Sequence, residues 1–170
     1  QGVIPSNFSV RVAPQLVGLG LLEAVAETTI LNLADPNDSN GDGISGRVHT
    51  ITDPVTGEPR LGRFGYKASQ ARVGHQIAHA LNYDMGVTTS IFNIPDGGTT
   101  ASPVEIDDTN LDHMNRYVSL LGVGARRNLS NAQALQGEQL FQTASCVVCH
   151  TPTMITSPHH PMAELRNQTI

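Results

Sequence analysis

The sequence predicts a mainly α chain with one small β-hairpin and long loops. Three observations carry this. Leu111, Met114, Val118 and Leu121 recur at helical spacing, and a second helical pattern runs from about Ala68 to Tyr83. Between the loops, Val48, Thr50 and Thr52 alternate with His49 and Ile51 before a turn at Asp53-Pro54-Val55-Thr56-Gly57-Glu58-Pro59, and Leu61 to Tyr66 follows as the return strand. In chain order the first element is a short helix over Gly20–Val25. An Asp/Gly-rich loop over Asp35–Arg47 comes next, then the hairpin, the 68–83 helix and the 111–121 helix. Gly122 to Asn128 reads as a linker. After it, Ser130 or Asn131 caps a helix through Ala132, Leu135, Leu140 and Phe141. Two units are expected, over 1–121 and 130–170, joined by 122–129.

At 170 residues the chain holds one domain or two small ones. Hydrophobic residues make up 39% and sixteen glycines bring the total close to that of ordinary globular chains, so a packed core is expected. A net charge of -5 argues against a nucleic-acid track or a polybasic membrane surface. Nine of the ten cations are Arg and Lys67 is the tenth, a bias toward planar, bidentate pairing. No apolar run is long enough to span a bilayer, and the first residues, Gln1-Gly2-Val3-Ile4-Pro5, lack the charged and apolar regions of a signal peptide. The absence of an initiator Met is what a mature or cut product shows.

Both cysteines stand in one run, Cys146-Val147-Val148-Cys149-His150. A structural disulfide framework is therefore not expected. The pattern fits covalent haem attachment: two thiols three positions apart meet the two vinyl groups, and the adjacent His150 supplies an iron ligand. A thioredoxin-like dithiol needs a preceding βαβ pattern that is not present, and a zinc site needs two more ligands, for which only His159 and His160 offer themselves. The preceding helix places Gly137 and Phe141 four apart on one face. G-x-x-x-F followed by CxxCH resembles the first helix of a class I cytochrome c domain, in which the small residue lets another helix cross closely and the aromatic packs near the haem edge. The 111–121 helix resembles a cytochrome c C-terminal helix. It stands before the CxxCH and so closes a preceding domain.

The Asp/Gly loop reads, from Asp38, as the opening of a twelve-residue calcium loop. Asp38, Asn40 and Asp42 supply side-chain oxygens, Gly43 the sharp turn and Ile44 a backbone carbonyl. Position twelve is His49, where a bidentate Glu is required, so calcium needs further ligands such as Asp35. Without calcium the loop is an Asx-rich turn bonded to its own backbone. His75 and His79 share one helix face as a metal or haem-ligand pair, but Gln76 stands where a zinc hydrolase has Glu. Packed imidazoles bonded to backbone are the expected outcome. Met85, Met114, Met154 and Met162 are thioethers with no distinguishing spacing, and Asn7-Phe8-Ser9 fits a glycosylation sequon. Arg47 and Arg63 are candidates for haem propionate pairing, against the plainer expectation of surface salt bridges.

The order of segments resembles the bacterial di-haem oxidoreductases, a family described in terms of peroxidase and thiol oxidoreductase activity. The resemblance rests on Val12 to Ala24, Asp35-Pro36, Asp42 to Arg47, Gly62 to Ala68, Asp84 to Thr88, and the CxxCH followed by Pro152. It implies two fused cytochrome c-like domains, covalent haem c, electron transfer between two irons, a periplasmic or secreted location, and a small redox protein or other electron donor as partner. It also implies a first CxxCH ahead of Gln1 and the rest of the second haem domain beyond Ile170. Tyr66 stands where the family typically shows Trp. The expected function is c-type haem-binding electron transfer within such an oxidoreductase, with peroxide reduction as its chemistry. A calcium-stabilised binding module without haem is the alternative.

Overall fold

In the computed structural model, Val10 and residues 12–170 are described; the sequon at Asn7 lies outside them. Among these residues there are five α-helices, α1 (Leu19–Ala24), α2 (Glu27–Leu31), α3 (Val73–Met85), α4 (Asp108–Ser119) and α5 (Ala132–Thr143), and a two-stranded antiparallel hairpin, β1 (Thr50–Thr52) and β2 (Pro59–Leu61). Short 3-10 turns cover Cys146–Val148 and Ala163–Leu165. None of the helices among the described residues is long and apolar enough to cross a membrane.

The core lies between α3 and α4. Val73, Ile77, Ala78 and Leu81 repeat on one face of α3 and meet Leu111 and Val118 of α4, with Phe64 closing the end from the hairpin side. The α4 helix starts at Asp108, three residues ahead of the first expected apolar position Leu111, and is capped by Asp107, whose carboxylate accepts from the Asn110 N–H. The α3 helix begins five residues later than expected. Arg63 and Phe64 donate their N–H groups to the Gln70 carbonyl, and Ala68 takes a positive φ of 50°, so the chain turns back before the helix starts. A carboxylate from a different helix then caps α3: Glu23 Oε1 accepts from the Val73 N–H at 2.9 Å.

The hairpin is shorter than expected, pairing Thr50 with Leu61 and Thr52 with Pro59. Its loop is built by Asp53, which accepts from Val55 and Thr56 through Oδ1 while its N–H reaches the Glu58 carbonyl. Beyond Leu61 the strand stops because Gly62 passes close under Ala68; a Cβ there would sit 1.8 Å from the Ala68 carbonyl oxygen.

A close helix crossing is made by α1. A Cβ on Gly20 would stand 2.1 Å from the Ser119 carbonyl oxygen, so α1 lies directly on the end of α4, and the Gly18 N–H binds the Leu121 carbonyl beside it. Gly137 has open space around it. Residues 154–170 return to α1: Thr156 pairs with Val25, the Ser157 N–H donates to the Ala24 carbonyl, Leu165 is buried, and Arg116 meets Glu164 at 3.3 Å.

Candidate functional site

The CxxCH run follows directly from α5. Asn131 caps that helix, its Oδ1 accepting from the Gln133 and Ala134 N–H groups, as the sequence led one to expect of Ser130 or Asn131. After Thr143 the backbone reverses at Ser145, with φ of 61°, and Cys146–Val148 forms a single tight turn. The Cys149 and His150 N–H groups both donate to the Cys146 carbonyl, at 3.2 and 2.9 Å. This folds the five residues onto one turn with both thiols free, Cys149 exposed and Cys146 half-buried. The His150 ring lies 5.6 Å from that of Phe141, at 58°.

The α5 helix buries none of its residues. Leu135, Leu140 and Phe141 are exposed, and so is Val148 inside the motif. An apolar surface beside two thiols and an imidazole suits a flat hydrophobic cofactor.

The other expected residues are placed differently. The calcium candidates Asp38, Asn40, Asp42 and Ile44 share one loop, but its oxygens are turned to its own backbone. Asp38 accepts from the Gly43 N–H, Asp42 from Ile44, Asn40 from Asp42, and Asp35 from Ser39 and Asn40. Among the described residues no group of three or more His, Cys, Asp or Glu is arranged to hold a metal ion. Among the described residues neither Arg47 nor Arg63 makes a salt bridge. Arg47 Nη2 donates to the Pro36 carbonyl, and Arg63 Nη1 donates to the carbonyls of Leu22, Glu23 and Val25 at 2.7–3.0 Å, tying off the end of α1. That engagement makes Arg63 a brace for α1 rather than an open propionate partner.

His79 packs by stacking on Tyr83 at 4.2 Å with its edge toward Phe92, not by a backbone bond. His75 is buried and lines a cavity of about 590 Å³ together with Glu23, Arg63, His160 and Met162. His160 therefore belongs to this cavity and not to the lining around Cys149. The spacing of His75 gave no sign of its neighbour Asp53, 22 positions back on the hairpin. Its Nδ1 and Asp53 Oδ2 are both buried without a hydrogen-bond partner among the described residues.

Burial pushes the His75 pKa below its ordinary value, opposed by the Asp53 carboxylate, with Arg72 adding to the lowering and Glu23 opposing it. For Asp53 burial acts upward, but the Thr56 and Val55 N–H groups, with His75 and Arg72, hold it below the usual carboxylate value. Because the unfolded chain protonates His75 at about 6.5 and the folded chain resists, this contribution is present above that pH and is lost as pH falls from there toward the depressed folded value. The Asp53 contribution is lost only at more acid pH. Urea midpoints at pH 7.5 and pH 5 should therefore differ, the acid value being lower. His75→Gln, which cannot charge, should reduce the difference; an unchanged difference would assign the pH dependence elsewhere.

A family model described as "di-haem oxidoreductase, putative peroxidase" matches residues 6–170. The chain belongs to the di-haem oxidoreductase family. No curated protein and no solved structure matches it. Membership gives the chain a redox role and implies haem cofactors. The residues present fit such a group. Cys146, Cys149 and His150 are the sole cluster of thiols with an adjacent imidazole, their thiols are free, and the apolar side chains beside them are uncovered.

Proposed function

We propose that this chain carries one covalent haem on Cys146 and Cys149, with His150 as an iron ligand, and serves electron transfer in a di-haem oxidoreductase. The observation that carries this is the CxxCH turn: two free thiols and an imidazole on one 3-10 turn, beside a helix with no buried face. Attachment needs no external oxidant. Each thiol adds across one vinyl C=C, sulfur bonding to the inner carbon and hydrogen going to the outer one. Bound haem iron supplies reversible one-electron chemistry.

The protein's own residues supply position and apolar surface. Cys146 and Cys149 fix the cofactor to the turn, and the Cys146 carbonyl, accepting from the His150 N–H, holds the His150 backbone against that turn. The Phe141 ring lies beside the imidazole. Leu140 and Val148, exposed in the chain alone, offer apolar surface that a bound haem would cover. On this reading the α5 unit is cytochrome c-like, the compartment is periplasmic or secreted, and the electron partner is a small redox protein or another haem domain. Peroxide reduction by two irons needs a second haem, and this chain has one CxxCH. We therefore propose it only for the assembly that brings that second haem.

Expression in the periplasm together with cytochrome c maturation machinery tests this, with a known cytochrome c as the control for maturation. The expected result is an intact mass increased by one haem after denaturation, with a Soret band that survives acid-acetone extraction. An unmodified mass while the control matures would overturn the proposal.

A further inference from the structure

A cavity of about 710 Å³ lies between the CxxCH turn and the Asp/Gly loop, with Val148 and Cys149 on one side and Leu33, Asp35, Asp42 and Ile44 on the other. We propose that the Asn32–Gly46 loop is the second wall of the haem site, with Leu33 and Ile44 covering the cofactor and Asp35 and Asp42 holding its reduction potential low. This rests on the haem reading above and assigns residues from more than a hundred positions upstream to that site.

Three large apolar side chains are left in water around one thiol: Leu33 is 52% exposed, Ile44 39% and Val148 45%. A flat apolar cofactor attached at Cys149 has this cavity next to it, and covering those side chains recovers burial that the chain alone leaves unused. The opposite wall is a built one. The Asp35 N–H binds the Gly46 carbonyl and closes the loop at its ends, while both Asp35 oxygens accept from the Ser39 and Asn40 N–H groups. Asp42 Oδ1 accepts from the Ile44 N–H at 2.8 Å, which ties the carboxylate to the residue that lines the cavity. The loop's side-chain oxygens thus bond its own backbone N–H groups. Oxidation adds one positive charge at the iron, so carboxylates lining the same cavity favour the oxidised form and lower the potential.

Two variants of the matured holoprotein test this. Asp42→Asn keeps the oxygen that accepts from Ile44 and removes the charge. Its midpoint potential should rise relative to wild type, by more at low salt than at high salt, because Asp42 is exposed. Leu33→Ser with Ile44→Ser alters side chains that are exposed in the chain alone. It should leave the melting temperature of haem-free protein unchanged and lower that of the holoprotein. An unmoved potential together with an unmoved holoprotein melting temperature, in a protein whose mass shows haem, would overturn the loop assignment and leave the haem reading standing. A wild-type chain that takes up no haem would instead overturn the haem reading itself.

Discussion

Gly20→Val is expected to destabilise the chain by at least about 3 kcal/mol, because the new side chain has no space to enter. The first carbon alone would lie 2.1 Å from the Ser119 carbonyl oxygen and 2.7 Å from the Ser119 carbonyl carbon and Cα, all backbone atoms at the end of α4. Relief requires α1 to lift off α4. That movement would strain the Gly18 N–H bond to Leu121, the Arg63 clamp on the end of α1, the pairing of Val25 with Thr156, and the Glu23 cap on α3. With unfolding entropies typical of this chain length, the melting temperature should fall by roughly 6–12 °C. Gly137→Ala is the internal contrast. Gly137 sits inside α5 with nothing within 4 Å, so alanine there should raise helix stability by about 1 kcal/mol through backbone entropy alone. If Gly20→Val melts like wild type, the close packing of α1 on α4 is wrong.

The two glycines mark where reading the sequence works and where it stops. Local signals are set by neighbours in the chain, and these were available in advance: the Asn131 cap, the periodicity of α4, the short α1, and the turn that Asp53 builds in the hairpin. What depends on a distant partner was not. Gly137 and Gly20 have the same chemistry, and only the position of Ser119 shows which of them a second helix approaches. Arg63 was read as a propionate partner or a surface salt bridge, and only the placement of α1 shows its guanidinium on the carbonyls at that helix's end; Glu23 likewise gave no sign that it would cap a helix 50 positions away. The Asp/Gly loop was legible as oxygen-rich, and the reading of it as an Asx-rich turn bonded to its own backbone needed only neighbours, since the Gly43 N–H that Asp38 accepts from lies five residues on. The CxxCH needed no distant partner, since its three groups lie within five residues and a single turn presents them together.

For that reason substitutions within the motif should separate its three roles cleanly. Cys146→Ser and Cys149→Ser together should abolish covalent attachment, so that all haem extracts into acid acetone and the protein mass returns to that of the bare chain. Each single variant should keep one thioether and show the mass of one haem in lower yield. His150→Ala should behave differently: the thiols remain on the turn, so haem attached during maturation stays covalent, while loss of the imidazole changes the visible spectrum and its response to added imidazole. None of the three side chains is fully buried and none is in a salt bridge, so the haem-free variants should melt within about 0.5 kcal/mol of the haem-free parent. The holoproteins should diverge, because haem links the turn to the uncovered face of α5 and that linkage is lost with the thiols. A double-serine variant that still retained haem through denaturation would place the attachment outside Cys146 and Cys149, and the electron-transfer assignment would lose its anchor in this chain.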